Sequence, residues 1–345
     1  MWQSLSTISC GECNLSTSAR SPTKAKQIAT ATKRRLRVGC DSGNEYHFDV
    51  RCSSAALVAV LGLAGFGLTG CSASARAVTT PPTVVATTTQ TADFARVIGG
   101  QGVHVYDIMR AGVDPHNYEP TAADLHQITG AAVMVINGLG LEPWFVRAQR
   151  ATTPKGIVVT ATSGVPLRGN DPHVWLNPAH AKVMVANIAE AMTRALPSMA
   201  PTFAANLAAY TAELDALDQE ISSQVASLPN RKMVTNHDAF GYFIERYGFD
   251  YVGSVIPSFD TSTDLSTSEV RKLVSRINAE KVRAVFSEAS VPPKAARAIA
   301  SEAGVKIVDG QNALYGDSLG PAGSDGDTYL KMMRHNVRTI VTALA

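Results

Sequence analysis

From Val84 onward, short apolar runs alternate with stretches whose apolar residues recur every three or four positions. The runs are Val84-Val85-Ala86, Val103-His104-Val105, Ala131 to Ile136 and Ile157-Val158-Val159, and the helical patterns fall at 91–98, 121–129 and 178–196. Short continuous runs suit strands buried on both faces, and strands alternating with helices predict a parallel sheet covered on both sides. The alternation restarts past residue 230. Lys232 to Thr235, Tyr251 to Val255, Val282 to Phe286 and Lys306 to Val308 are expected as strands, with helices near 239–247, 267–279, 294–303 and 326–343.

Between the two series lies the most regular segment. Phe203, Leu207, Tyr210, Leu214, Leu217, Ile221, Val225 and Leu228 fall at alternating steps of four and three, one apolar stripe on a helix over 201–228. Pro201 opens it and Pro229 closes it. At about 1.5 Å per residue it is a rod of roughly 42 Å, long enough to run the length of a small protein. A coiled-coil seam is the rival reading, and a single segment of this length favours packing against its own domains. The expected fold class is therefore α/β, with two similar lobes of parallel sheets flanked by helices, over 84–200 and 229–345, joined by the one long helix.

The chain ahead of this body has a different character. Residues 55–68 read AALVAVLGLAGFGL, fourteen apolar positions behind Arg51 and ahead of Leu68-Thr69-Gly70-Cys71. That is short of the roughly 20 residues a bilayer span needs and suits a signal-peptide core. The L-T-G-C end looks like a bacterial lipobox, which implies cleavage before Cys71 and lipid on that residue, with several acyl chains for stable anchoring to the extracytoplasmic face of the membrane. Residues 1–71 are thus expected as leader and the Ser/Ala/Thr/Pro stretch 72–83 as a flexible tether. Translation is expected to start near Val50, leaving residues 1–49 outside the product.

Composition narrows the function. A chain of 345 residues with 45% hydrophobic content can bury a core without staples. The net charge is +2, but eight of the 31 Lys and Arg and four of the 29 Asp and Glu precede Cys71, leaving 23 basic against 25 acidic residues beyond it. A nucleic-acid partner has no support there. All five cysteines (Cys10, Cys13, Cys40, Cys52, Cys71) lie in this leading region, so the body has no disulfide and no thiolate ligand. Cys10 and Cys13 lack the second pair that a zinc knuckle requires.

Chemistry must come from histidine and carboxylate. Asp114-Pro115-His116 and Asp171-Pro172-His173 are similar turn-forming elements, and His237 follows the strand at 232–235. All three are expected near the carboxyl ends of strands, where α/β sheets bind ligands. Neutral imidazole is the commonest ligand for zinc-like ions, and a carboxylate completes the shell while offsetting charge. The best acidic candidate is Asp317, in the glycine-flanked Tyr315-Gly316-Asp317-Ser318-Leu319-Gly320. Gaps of 57, 64 and 80 residues between these positions match no compact metal motif, so spacing alone does not assign a site.

The motifs G-V-D-P-H-N-Y-E-P, N-G-L-G-L-E at 137–142, D-P-H-V-W-L-N-P, N-H-D-A-F-G-Y-F and Y-G-D-S-L-G, in this order, resemble the zinc/manganese solute-binding lipoproteins of ABC importers over about Val84 to Leu344. The resemblance implies that His116, His173, His237 and Asp317 are the four metal ligands, two from each lobe, that the long helix is a stiff link allowing modest closure, and that a membrane permease receives the ion from a monomeric carrier. It also implies one Zn2+ or Mn2+ as the bound ion. His237 stands where manganese-leaning members have Glu, and three nitrogens with one carboxylate suit zinc. The chain departs from many zinc-specific relatives in lacking a His- and acid-rich loop within 120–170.

Around the ligands, Glu119 and Asp238 are candidates for orienting imidazoles, and Glu288 for approaching the site. His104, His126, His180 and His335 read as ordinary side chains, and Trp144 and Trp175 as core, with Trp175 close enough to His173 to shape its pocket. A zinc hydrolase using the same histidines is the main rival, although Asp317 would close the position that water needs. Gly138-Leu139-Gly140 is a weak dinucleotide signal, because Pro143 stands where the third glycine belongs. Nothing specifies a ligand for surface adhesion. Since each imidazole must be unprotonated to bind, affinity is expected to fall as pH drops through about 6.5.

Overall fold

The computed structural model describes residues 80–263 and 266–345, all within the compact unit Ala75–Ala345. The expected leader, Cys71 and most of the tether lie outside the described residues. The first sheet contains β1 (Thr83–Ala86), β2 (His104–Asp107), β3 (Val133–Ile136) and β4 (Ile157–Thr160), in the order β2-β1-β3-β4 with every pair parallel. The second contains β5 (Lys232–His237), β6 (Asp250–Ile256), β7 (Ala284–Phe286) and β8 (Lys306–Val308), in the equivalent order β6-β5-β7-β8, again parallel. The two-lobed α/β fold thus agrees with the sequence pattern.

Helices flank both sheets: α1 (Thr89–Gly99), α2 (Ala122–Gly130), α3 (Phe145–Thr152), α4 (Pro178–Ala195), α5 (Ala200–Ala226), α6 (Gly241–Tyr247), α7 (Thr267–Ala279), α8 (Lys294–Ala303) and α9 (Tyr329–Leu344). Helix α7 starts at the expected residue because Ser266 and Glu269 form a reciprocal capping box. Helix α3 escaped the pattern reading. It buries only Phe145 and Ala148 of its eight residues, too few to mark a period.

Because successive strand side chains point to opposite faces, each strand feeds two cores. Val84, Ala86, Val133 and Val135 of the first sheet join Met233, Ala284 and Phe286 of the second in one cluster with residues of α1, α4, α5 and α9. Their neighbours Val85 and Met134 pack instead with Ile128, Phe145 and Ala148. Val234 and Val285 pack with Leu273, Ile277 and Ile299. Helix α5 lies along α4 and α1 of the first lobe and α9 of the second, burying Phe203, Tyr210, Leu214, Leu217, Ile221 and Val225. At about 1.5–3 kcal/mol per buried large side chain, this stripe contributes on the order of 10 kcal/mol before entropy is charged against it. One apolar cluster continuous through both lobes resists their sliding apart.

The strand order also positions chemistry. In each lobe the first strand has the second on one side and the third on the other, which opens a crevice at the carboxyl ends of the first and third strands. The segments after β1 and β3, and after β5 and β7, border these crevices.

Candidate metal centre

Both D-P-H elements fold for the same local reason. Asp114 Oδ1 accepts the His116 amide at 2.9 Å, and Asp171 Oδ1 accepts the His173 amide at 3.0 Å, each a side-chain turn that leaves the histidine projecting. Asp171 does more, since the same oxygen lies 2.8 Å from His173 Nδ1. That second role was not anticipated from the sequence, where Asp171 read only as a turn former. The preceding carbonyl of Pro172 is held by Asn137 Nδ2 at 3.1 Å. Asn137 is itself fixed by Glu142, a buried carboxylate that accepts the amides of Asn137 and Gly138 and the Thr87 hydroxyl. The N-G-L-G-L-E motif therefore shapes the His173 loop, with Gly138, Leu139 and Gly140 all at positive φ.

His237 is the last residue of β5 rather than one beyond it, and Glu288 stands just past the adjacent β7. Across the crevice, Glu288 Oε1 accepts the His237 amide at 3.0 Å and lies 2.9 Å from His237 Nδ1. With Nδ1 hydrogens committed to Asp171 and Glu288, His173 and His237 direct their Nε2 lone pairs inward. Asp317 arrives from the loop after β8. Gly316 beside it leaves room for the His237–Glu288 pair, because a Cβ there would sit 2.2 Å from Glu288 Oε2 and push that carboxylate aside.

The four predicted ligands converge. One donor atom from each of His116, His173, His237 and Asp317 lies within 4.8 Å of all the others. His173 Nε2 is 3.4 Å from both His116 Nε2 and His237 Nε2. The Asp317 carboxylate is 3.6 Å from His116 Nε2, 3.2 Å from His173 Nε2 and 3.3 Å from His237 Nε2. His173, His237 and Asp317 are buried, and His116 stands at the edge. Trp175 lines the site, its ring 5.4 Å from that of His173.

Burial disfavours charge on every one of these groups, and their neighbours decide the outcome. For His116 burial prevails and lowers the pKa below the ordinary histidine value. For His173 burial is outweighed by Asp317 and by the hydrogen bond its ring donates to Asp171, which raise it. Burial of His237 is overcome by Glu288 and Asp317, which raise it well above that value. Burial would also raise Asp317, but His237 and His173 pull it well below the usual carboxylate range.

Two candidates do not orient imidazoles. Glu119 is exposed and pairs with Arg147 at 2.6 Å. Asp238 is only partly buried, and its amide donates to Ser258 O. Both follow a ligand in sequence, but the imidazole partners are reached by a two-residue turn (Asp171) and by strand adjacency (Glu288). His104 and His126 are exposed, His180 packs edge-on against Tyr242, and His335 bonds Ala313 O, so none of them joins the cluster.

Comparison with known proteins fits this geometry. The family described as zinc-uptake complex component A, periplasmic (ZnuA), matches residues 84–343. The chain belongs to this family. Among curated relatives, the zinc-binding protein TroA of Treponema pallidum is 33% identical over 276 residues, covering 76% of this chain and 89% of TroA. The manganese-binding lipoprotein MntA of Bacillus subtilis is 34% identical over 307 residues, covering 84% of this chain and 98% of MntA. The solved structure of periplasmic TroA superposes with a TM-score of 0.71 at 32% identity, covering 77% of this chain and 99% of that one. ZnuA-family proteins are metal-binding solute-binding components of ABC importers rather than enzymes, and nothing in these comparisons favours a hydrolase.

Proposed function

We propose that this protein captures one divalent transition-metal ion, zinc in preference to manganese, with His116, His173, His237 and Asp317, and hands it to an ABC permease. The observation that carries the reading is the size of the donor cage. Four ligands about 2.0–2.1 Å from a tetrahedral ion stand about 3.3 Å from one another. Taking the nearer Asp317 oxygen for each ring, the separations of 3.2–3.6 Å to the imidazoles, and of 3.4 Å from His173 to each neighbouring ring, are near that size, with all four donors within 4.8 Å of one another. Manganese favours more oxygen donors in a larger shell. TroA is named for zinc and MntA for manganese, so the relatives alone do not choose between the ions. The metal is cargo: it enters as the lobes meet, over boundaries at 84–200 and 229–345, and leaves at the permease. A lipid on Cys71 would hold the carrier at the extracytoplasmic face. Among the described residues no helix is long and apolar enough to cross a membrane.

Protein purified without added metal is expected to carry one zinc per chain by elemental analysis, and zinc is expected to displace manganese in direct competition. Retention of manganese against equimolar zinc would overturn the preference.

The pH dependence follows from the shifted rings. His173 and His237 have raised values in the metal-free protein, so they keep a competing proton above the ordinary 6.5. Affinity is expected to start falling above pH 6.5 as the pH is lowered, earlier than unperturbed histidines require. Raised folded values also stabilise the metal-free protein below pH 6.5, a contribution lost as pH rises through them. Calorimetry is the check: zinc binding near pH 7 should release protons, and a heat independent of buffer ionisation would contradict this.

A further inference from the structure

We infer that Thr89 and Gln90, in the first turn of α1, are the positioning residues for Asp317. The inference rests on the reading of Asp317 as a metal ligand. Each inner imidazole is held from behind by a carboxylate, His173 by Asp171 and His237 by Glu288. Asp317 has no counterpart behind it: among the described residues, the groups facing its buried carboxylate are the imidazoles of the cluster themselves, 3.2–3.6 Å away. Its place therefore depends on the backbone that carries it, and glycines at 316 and 320 leave that backbone soft.

The backbone is gripped on both sides of Asp317 by the opposite lobe. Gln90 Nε2 donates to Gly316 O at 3.2 Å, and Trp175 Nε1 donates to the same oxygen at 3.1 Å. On the far side, Leu319 N donates to Thr89 Oγ1 at 2.8 Å. The Thr89 hydroxyl in turn donates to Gln90 Oε1 at 3.1 Å, so the two side chains form one buried unit. Gln90 is fully buried, where an amide is tolerated only if it is hydrogen-bonded. Topology supplies the reason for this arrangement. Helix α1 starts directly after β1, at the crevice of the first sheet, so its first turn faces the second lobe's ligand loop. The carboxylate of one lobe is thus placed by the other, and a shift between lobes would move Asp317 relative to His237.

The test is a double-mutant cycle on the metal-stripped full chain, read by zinc competition and by the visible absorption of bound Co2+. Thr89→Val, close to isosteric, should weaken zinc binding about tenfold or more, the consequence of leaving a buried amide unpaired. It should also change the Co2+ spectrum, while Thr89→Ser restores both. In the Asp317→Ala background the same change should cost less than about twofold, because there is no carboxylate left to place. Equal losses in both backgrounds, or an unchanged affinity and spectrum, would overturn the inference. If Thr89→Val fails to fold, Gln90→Met is judged by the same readouts. Full affinity in Asp317→Ala alone would instead remove the ligand assignment on which the inference stands.

Discussion

Replacing His173 with alanine is expected to weaken zinc binding about 100- to 1,000-fold and leave the fold intact. A zinc site held by four protein ligands is worth about 10–16 kcal/mol, or roughly 2.5–4 kcal/mol for each ligand, and every 1.4 kcal/mol is a factor of ten. His173 is the most central donor, 3.4 Å from both neighbouring imidazoles and 3.2 Å from Asp317. The fold should survive because Asp171 keeps the residue 173 amide and Arg168 as partners, and the apolar cluster around α5 does not include the ring. Losing one buried hydrogen-bond partner costs about 1–3 kcal/mol, a fraction of the total for a body of this size. Competition against a chromophoric chelator, paired with circular dichroism, reads both halves of the expectation. Affinity unchanged to within a few-fold would mean that His173 is not a ligand.

Stripping the metal is expected to lower the melting temperature by about 8–16 °C. A ligand bound only by the folded state stabilises it by about 4 kcal/mol when present at 1,000 times its dissociation constant, and each kcal/mol moves the midpoint of a chain this long by about 2–4 °C. The shift should drop to a few degrees in His173→Ala and shrink toward pH 6, where raised values of His173 and His237 favour the metal-free protein as the loaded form weakens. Scanning calorimetry of loaded and chelator-treated protein decides it. Coincident melts at neutral pH would separate the histidine cluster from metal capture.

Much of this architecture is local, and local patterns are what a chain displays. The stripe from Phe203 to Val225 buries as its period requires, and α7 and α8 occupy the expected residues because caps and apolar spacing agree. The motif set that resembles metal-binding lipoproteins names His116, His173, His237 and Asp317 as a group, and the folded chain brings those four together. Helix α3 was illegible because two buried residues make no period.

The supporting network belongs to the tertiary structure. Glu119 and Asp238 looked apt because each follows a histidine closely in sequence, yet Glu119 turns to Arg147 and Asp238 makes no bond to a ligand ring. The partner of His237 is Glu288, 51 residues away and brought alongside because β5 and β7 are neighbours. The grip on Asp317 comes from Thr89 and Gln90, more than 220 residues earlier. By itself the sequence determined the alternation of strands and helices, the long apolar stripe and, through its motifs, the family and the four candidate donors, because periodicity, caps and turn residues act over a few positions. Only the tertiary structure decided which groups hold those donors in place and how far their proton affinities move. Hydrogen bonds and charge interactions depend on distances of a few ångströms, and strand order sets those distances between residues far apart in the chain.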